Sequence, residues 1–220
     1  MLASANLCTH APRVERMRPT IQSLVEGGFS VVRVWLNDIE PPSWAGEYPT
    51  VLWHRGEDRA DGGKFGFMGW TNERYYLAMD DDIIYPKDYL SKSKQECNAS
   101  QGVSSFLGWR YKAFPISCIY ERTADKFLFT QKKTRQRGHV LGTGLLCIDR
   151  FRFKHTIPHE PRHMIDIHLA IVCKQNGITP MVGACDKGWI KDNTLDSGIF
   201  GTRKDKTHET ALLNAAFAKR

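Results

Sequence analysis

The chain has no run of about 18 apolar residues, which excludes a helix that spans a membrane. It has no internal repeat and no low-complexity stretch, which excludes solenoids and arrays. None of its six cysteines, at positions 8, 97, 118, 147, 173 and 185, forms a C-x-x-C pair. A domain of 220 residues builds a core without covalent staples, so the cysteines read as reduced thiols of a cytosolic protein. Met1 to Cys8 is too short, and too polar on its far side, to read as a signal peptide.

Positive charge is in excess. The formal net charge is +7, with clusters at Lys132-Lys133-Thr134-Arg135-Gln136-Arg137 and Arg203-Lys204-Asp205-Lys206. Such a balance favours anionic partners: nucleotides, nucleic acid or an anionic membrane face. Two solvated loops that keep the protein soluble would give the same clusters.

In the first half, short apolar runs alternate with helical patterns. Leu2 to Cys8 and Phe29 to Leu36 read as strands, with a short third at Val51-Leu52-Trp53 and a fourth at Tyr75 to Met79. Val14 to Glu26 reads as a helix, with Pro19 marking its regular start or a kink and Gly27-Gly28 its end. Lys64 to Asn72 reads as a further helix. This alternation implies parallel βαβ units and a three-layer α/β domain. The second half is richer in strands: Val103 to Tyr111, Ser117 to Arg122, Lys126 to Thr130 and Val140 to Ile148. A helix at Met164 to Gln175, a last strand at Thr179 to Ala184 and a helix at Thr210 to Ala218 follow. The expectation is one domain over 1–220, with a mixed extension of the parallel sheet. Residues 1–100 would form a ligand-binding half at the carboxyl ends of the parallel strands.

Asp80-Asp81-Asp82 carries the strongest chemical signal. It lies between Tyr75-Tyr76-Leu77-Ala78-Met79 and Ile83-Ile84-Tyr85, at the edge of a core where adjacent carboxylates repel and resist desolvation. If the strand continues through them, Asp80 and Asp82 share a face and Asp81 points the other way. A D-x-D pair at a strand end can hold Mn²⁺ or Mg²⁺, leaving other positions to water and a diphosphate. The competing reading is an acidic cap on the helix that begins near Pro86. Asp58 to Phe65 places Asp61, two glycines and Lys64 at a helix mouth, where glycines allow close backbone approach and the lysine can meet phosphate. Thr9 to Arg13 and Asn37-Asp38 follow the first two strands, on the ligand side of a parallel sheet.

These segments together resemble a glycosyltransferase of the GT-A (Rossmann-like) fold. The resemblance rests on T-H-A-P-R, V-V-R-V-W-L-N-D, A-D-G-G-K-F and Y-Y-L-A-M-D-D-D-I-I-Y-P-K-D-Y. L-G-T-G-L-L and H-M-I-D-I-H-L-A-I-V-C-K-Q-N-G-I extend it, so that it runs from about Ala3 to Gly177. It is strongest toward the large inverting family of bacterial capsule and glycan synthases, of the heparosan- and chondroitin-synthase type.

The resemblance implies a nucleotide-sugar site formed by Thr9, Pro12, Arg13, Asp38, Asp61, Lys64, Asp80 and Asp81. It implies a Mn²⁺ or Mg²⁺ ion on Asp82 and Asp80, with His208 as the one candidate histidine ligand after position 168. Asp166 would be the general base, kept ionised by the dipole at its helix start; a plain helix cap is the alternative. Gly142, Thr143 and Trp189 would face the acceptor. The implied donor is a UDP-sugar and the acceptor a glycan or a lipid-linked chain. Nucleic acid is not expected as a partner, and the location is cytoplasmic with peripheral contact to the inner membrane face in view. Asn37 departs from the pattern, standing where the family has a first acid.

Three other readings compete. A nucleotidyltransferase normally carries a Gly-rich loop after its first strand, and Thr9 to Arg13 has no glycine. A non-catalytic basic module for an anionic polymer explains the charge and leaves the acidic triplet unexplained. His159-Glu160-Pro161-Arg162-His163 matches the H-E-x-x-H string of zinc peptidases, but Pro161 and Pro158 prevent the continuous helix that such a site needs.

Overall fold

A computed structural model gives the fold, described here for residues 2–119, 125–127, 134–158, 164–192 and 206–218. In chain order the elements begin with β1 (Ala3–Thr9), α1 (Ala11–Val14), α2 (Arg18–Glu26), β2 (Val31–Asn37), β3 (Val51–Gly56) and β4 (Tyr75–Met79). Then come β5 (Ile83–Ile84), α3 (Tyr89–Asn98), β6 (Val103–Ser105), β7 (Gly108–Arg110), β8 (Asp125–Phe127), β9 (Gln136–Arg137) and β10 (Val140–Leu141). The last are β11 (Leu145–Asp149), α4 (Ile165–Gln175), β12 (Met181–Val182), β13 (Lys191–Asp192) and α5 (Thr207–Phe217).

The main sheet has the order β3-β2-β1-β4-β11-β6-β12-β9. Strands β1 to β4 are mutually parallel, with Leu7 beside Val34 and Asn6 beside Ala78. β11 runs antiparallel to both neighbours, β4 and β6. The second half of the chain is therefore inserted into the same sheet as the first.

Alternation along β4 builds the three layers. Tyr75, Leu77 and Met79 pack with Ile21, Leu24, Tyr89 and Cys97 of α2 and α3 on one face. Tyr76 and Ala78 pack on the other face, in a core with Phe65, Ile165, Leu169 and Cys173. A third core joins Trp109, Ile116 and Val140 to Ile167 of α4 and Leu213 of α5. Asn6, fully buried in β1, is held by its amide, which donates to Ser4 Oγ at 2.9 Å and to the Leu77 carbonyl at 3.2 Å.

Several local expectations change. Pro19 lies in the first turn of α2, so the helix starts at Arg18 and α1 is a separate turn. The expected helix at Lys64 to Asn72 is instead a short 3₁₀ turn, Ala60–Phe65, followed by turns. Val103 to Tyr111 divides into β6 and β7, which join different sheets, and Val140 to Ile148 breaks at Gly142-Thr143-Gly144. Residues 117–119 form no strand. The H-E-x-x-H string, Lys132-Lys133 and Arg203 to Asp205 lie outside the described residues. All six cysteines are thiols. No helix among the described residues is long and apolar enough to cross a membrane.

Candidate active site

Because β1, β2 and β4 are parallel, their carboxyl ends meet at one edge of the sheet. A cavity of about 230 Å³ opens there, lined by Thr9, Arg13, Asn37, Asp61, Lys64, Asp80 and Asp81, with Cys8, His10, Asp58 and Ala60 beside them. Four short segments far apart in sequence thus supply one wall.

The acidic triplet does not continue the strand. β4 ends at Met79, and the acids turn toward β5. Arg13 donates to Asp81 Oδ1 at 2.6 Å and to Asp82 Oδ2 at 2.7 Å. Thr9 Oγ1 donates to Asp81 Oδ2 at 2.7 Å, and the Thr20 hydroxyl donates to the Asp81 carbonyl at 3.0 Å. Lys64 Nζ donates to Asp80. The expected geometry, Asp80 with Asp82 and Asp81 opposed, is therefore corrected: Asp81 and Asp82 share one guanidinium, and Asp80 faces the lysine. Arg13 and Lys64, expected to meet phosphate directly, are engaged with these carboxylates.

Three carboxylates meet two cations, and the charge balance shows it. Burial pushes the Asp81 carboxyl up to about 6, against the pull of Arg13 and Thr9. Asp82 is raised as well, by burial and by Asp80. For Lys64, burial disfavours the charge, but Asp80, Cys8 and Asp61 together outweigh it and the ammonium is held more firmly than usual. Burial raises the Cys8 thiol to about 12, so it is no nucleophile at neutral pH.

Residues from the second half of the chain complete the acidic end. Gly144 lies against Asp80, and a Cβ there would stand 1.9 Å from the carboxylate. The Tyr85 hydroxyl donates to the Gly144 carbonyl at 2.9 Å and accepts the Asp80 N–H at 2.9 Å. The L-G-T-G loop thus fixes the triplet's position. Gly142 packs against Leu107, and its carbonyl accepts the Ser105 hydroxyl at 2.8 Å, while Thr143 is buried.

Asp166 lies in the first turn of α4, with the Ile167 N–H donating to Oδ1 at 2.9 Å. Its carboxyl is raised to about 7, by burial first and then by the charge of Asp61. The helix dipole was expected to favour the anion; burial and a like charge act against it and raise the carboxyl. Asp61 lines the cavity and its charge acts on Asp166, which is not itself among the lining residues.

Other expected residues fall elsewhere. Asp38 has φ 51° and is exposed, ion-paired to Arg55 at 3.2 Å, and does not line the cavity. Its neighbour Asn37 does, with its amide donating to the Ala60 carbonyl and its oxygen accepting the Arg59 N–H, both at 3.0 Å. Pro12 is exposed in α1, outside the lining. Gly63 serves packing: a Cβ there would lie 2.7 Å from the Trp35 indole. Trp189 clamps α3, with its indole N–H donating to Asp88 at 2.7 Å and its ring stacked on Tyr89. His208 is exposed on α5. Among the described residues no three His, Cys, Asp or Glu side chains form a group able to hold an ion, so His208 is not brought to the triplet.

Asn37, His10 and Asp58 were missed as lining residues. Each lies in a segment that the sequence singles out (Thr9 to Arg13, Asn37-Asp38 and Asp58 to Phe65), beside the residues assigned a role there.

Two carboxylates at this edge, Asp80 and Asp82, keep part of their surface open (38% and 26% of the side chain). Such a pair suits a hard dication that takes one or two carboxylates and completes its shell with water and phosphate oxygens. The surplus of negative charge fits the same ion.

No protein-family model matches the chain, and no curated protein matches its sequence. Among solved structures, 150 chains match its fold. One is a crystal structure of S. aureus TarS, residues 1–349, with a TM-score of 0.51 and 12% identity. The match covers 78% of this chain and 56% of that one, so this chain spans just over half of TarS 1–349. At that identity the likeness concerns the fold alone: a mixed α/β, mostly parallel sheet of the Rossmann-like GT-A type.

Proposed function

We propose that the protein is a glycosyltransferase that moves a sugar, with inversion, from a UDP-sugar to a hydroxyl of a glycan or lipid-linked acceptor. The observation that carries this reading is the meeting of Thr9, Arg13, Asp61, Lys64 and Asp80-Asp81 in one cavity at the carboxyl ends of parallel strands. The shared fold with TarS, a staphylococcal glycosyltransferase, supports it.

In this reading Asp80 and Asp82 would hold a Mn²⁺ or Mg²⁺ ion, which would supply charge to offset the diphosphate. Thr9, Asn37 and Asp61 face the nucleotide. Arg13 and Lys64 offset most of the charge of the acids, so that the wall repels a diphosphate less as negative charge grows on it. Asp166 accepts the proton of the acceptor hydroxyl as the oxygen bonds to the anomeric carbon and the bond to the diphosphate breaks. A carboxyl that titrates near 7 is a stronger base than an ordinary aspartate and is still substantially ionised at neutral pH.

The test is a mass-spectrometric screen of nucleotide sugars with Mn²⁺ present, reading release of free nucleotide, alongside calorimetry of UDP binding. Release from one donor class, lost with EDTA and regained with Mn²⁺, is the expected outcome. No binding and no release across all donors would reject the reading.

A further inference from the structure

We propose that a second cavity, between residues 66–73 and residues 150–157, receives an anionic acceptor chain whose negative groups are phosphates or carboxylates. This rests on the glycosyltransferase reading above and names the acceptor's chemistry. The cavity measures about 660 Å³, within the range of ligand-binding sites, and among its lining residues are Arg59, Glu73, Arg150, Phe151, Lys154 and His155.

The wall is positive. Glu73 is the one carboxylate in the lining, and Arg33 holds it with two hydrogen bonds, at 3.0 and 3.3 Å. Arg150 makes its hydrogen bonds to neutral oxygens of Thr71, the hydroxyl at 2.8 Å among them, so its charge is oriented without a bonded carboxylate. Lys154 is exposed and has no ion pair among the described residues. The Arg59 guanidinium lies 4.5 Å above the Trp35 ring, paired to Glu57 outside the cavity lining. One aromatic ring in the lining stands open beside these cations: Phe151 is 66% exposed. An open ring accepts the apolar C–H face of a sugar, and cations beside it select the chain's negative groups.

The position leads to the first cavity. Arg59 lines the second cavity, while its neighbours Asp58 and Ala60 line the first. The 150–157 segment precedes α4, whose first turn carries Asp166. A chain lying in the second cavity is flanked by two segments that neighbour, in sequence, those bearing Asp61 and Asp166.

Calorimetry with four probes tests this: a hexagalacturonate, a six-unit glycerol phosphate oligomer, neutral maltohexaose and a uridine 12-mer RNA. One or both anionic glycan-type probes should bind, at least about tenfold more tightly than maltohexaose, and the tighter one identifies the negative group. Lys154→Glu should weaken that binding about tenfold and Phe151→Ala about threefold, with UDP affinity and melting temperature unchanged in both variants. Equal binding by maltohexaose, tighter binding by the RNA, no binding by either anionic oligomer at millimolar concentration, or wild-type affinity in Lys154→Glu would each overturn the proposal. If UDP fails to bind while the anionic probes behave as expected, the donor reading fails and the subsite stands.

Discussion

At the end of β4 and at the start of α4 the chain buries carboxylates in opposite company. Asp81 is enclosed by Arg13, Thr9 and Thr20, so its charge is matched by a cation 2.6 Å away. Asp166 has the Ile167 N–H and, facing it, the like charge of Asp61. Burial raises both, to about 6 and about 7, yet a guanidinium opposes it at one site and a carboxylate reinforces it at the other. The first arrangement holds a shape. The second, on the proposed reading, holds a proton acceptor near neutral pH.

The comparison breaks most sharply if Arg13 is removed. Arg13→Met leaves two carboxylates without their shared cation and should cost about 3–5 kcal/mol of stability, read by urea denaturation. A cost under about 1 kcal/mol would show that solvent already compensates the pair. At the other carboxylate the effect should fall on rate. Asp166→Asn should lower transfer by roughly 10²-fold or more while UDP affinity stays within about twofold. The wild-type rate should rise with pH through about 7, because the ionised form is the base, and should flatten above it. Stability carries the opposite sign. A carboxyl raised in the folded state makes folding weaken as pH rises from the ordinary aspartate range to about 7, so Asp166→Asn should gain on the wild type across that interval in melting experiments.

A smaller effect is expected at Gly144. Gly144→Ala places a methyl on the Asp80 carboxylate and should cost about 1–3 kcal/mol, with weaker Mn²⁺-dependent UDP binding. Unchanged binding would detach Asp80 from the metal. The smallest belongs to Asp38, exposed and paired only with Arg55. Asp38→Ala should change stability by less than about 1 kcal/mol and leave UDP affinity alone.

Much of the frame was legible from sequence because its causes are local. The buried run Tyr75 to Met79, the strands before Thr9 and Asn37, and Pro19 at a helix start carry their own periodicity and backbone limits. The helix expected at Lys64 to Asn72 failed because Gly66 and Gly69 weaken it, and Gly63 and Gly66 are needed to seat Trp35. The face rule failed at the triplet because it holds within a strand, and the strand had ended. The resemblance implies Asp38 at the nucleotide, whereas Asp38 has a positive φ and lies exposed, and Asn37 lines the cavity.

The order of residues alone determined that carboxylates would gather beside a core at the end of a parallel strand, since hydrophobic runs and chain-direction rules act over a few residues. Which cation each carboxylate meets was decided only in three dimensions. Arg13 reaches Asp81 across 68 positions, and the pairing strengths depend on distance and burial, quantities that spacing along a chain does not encode.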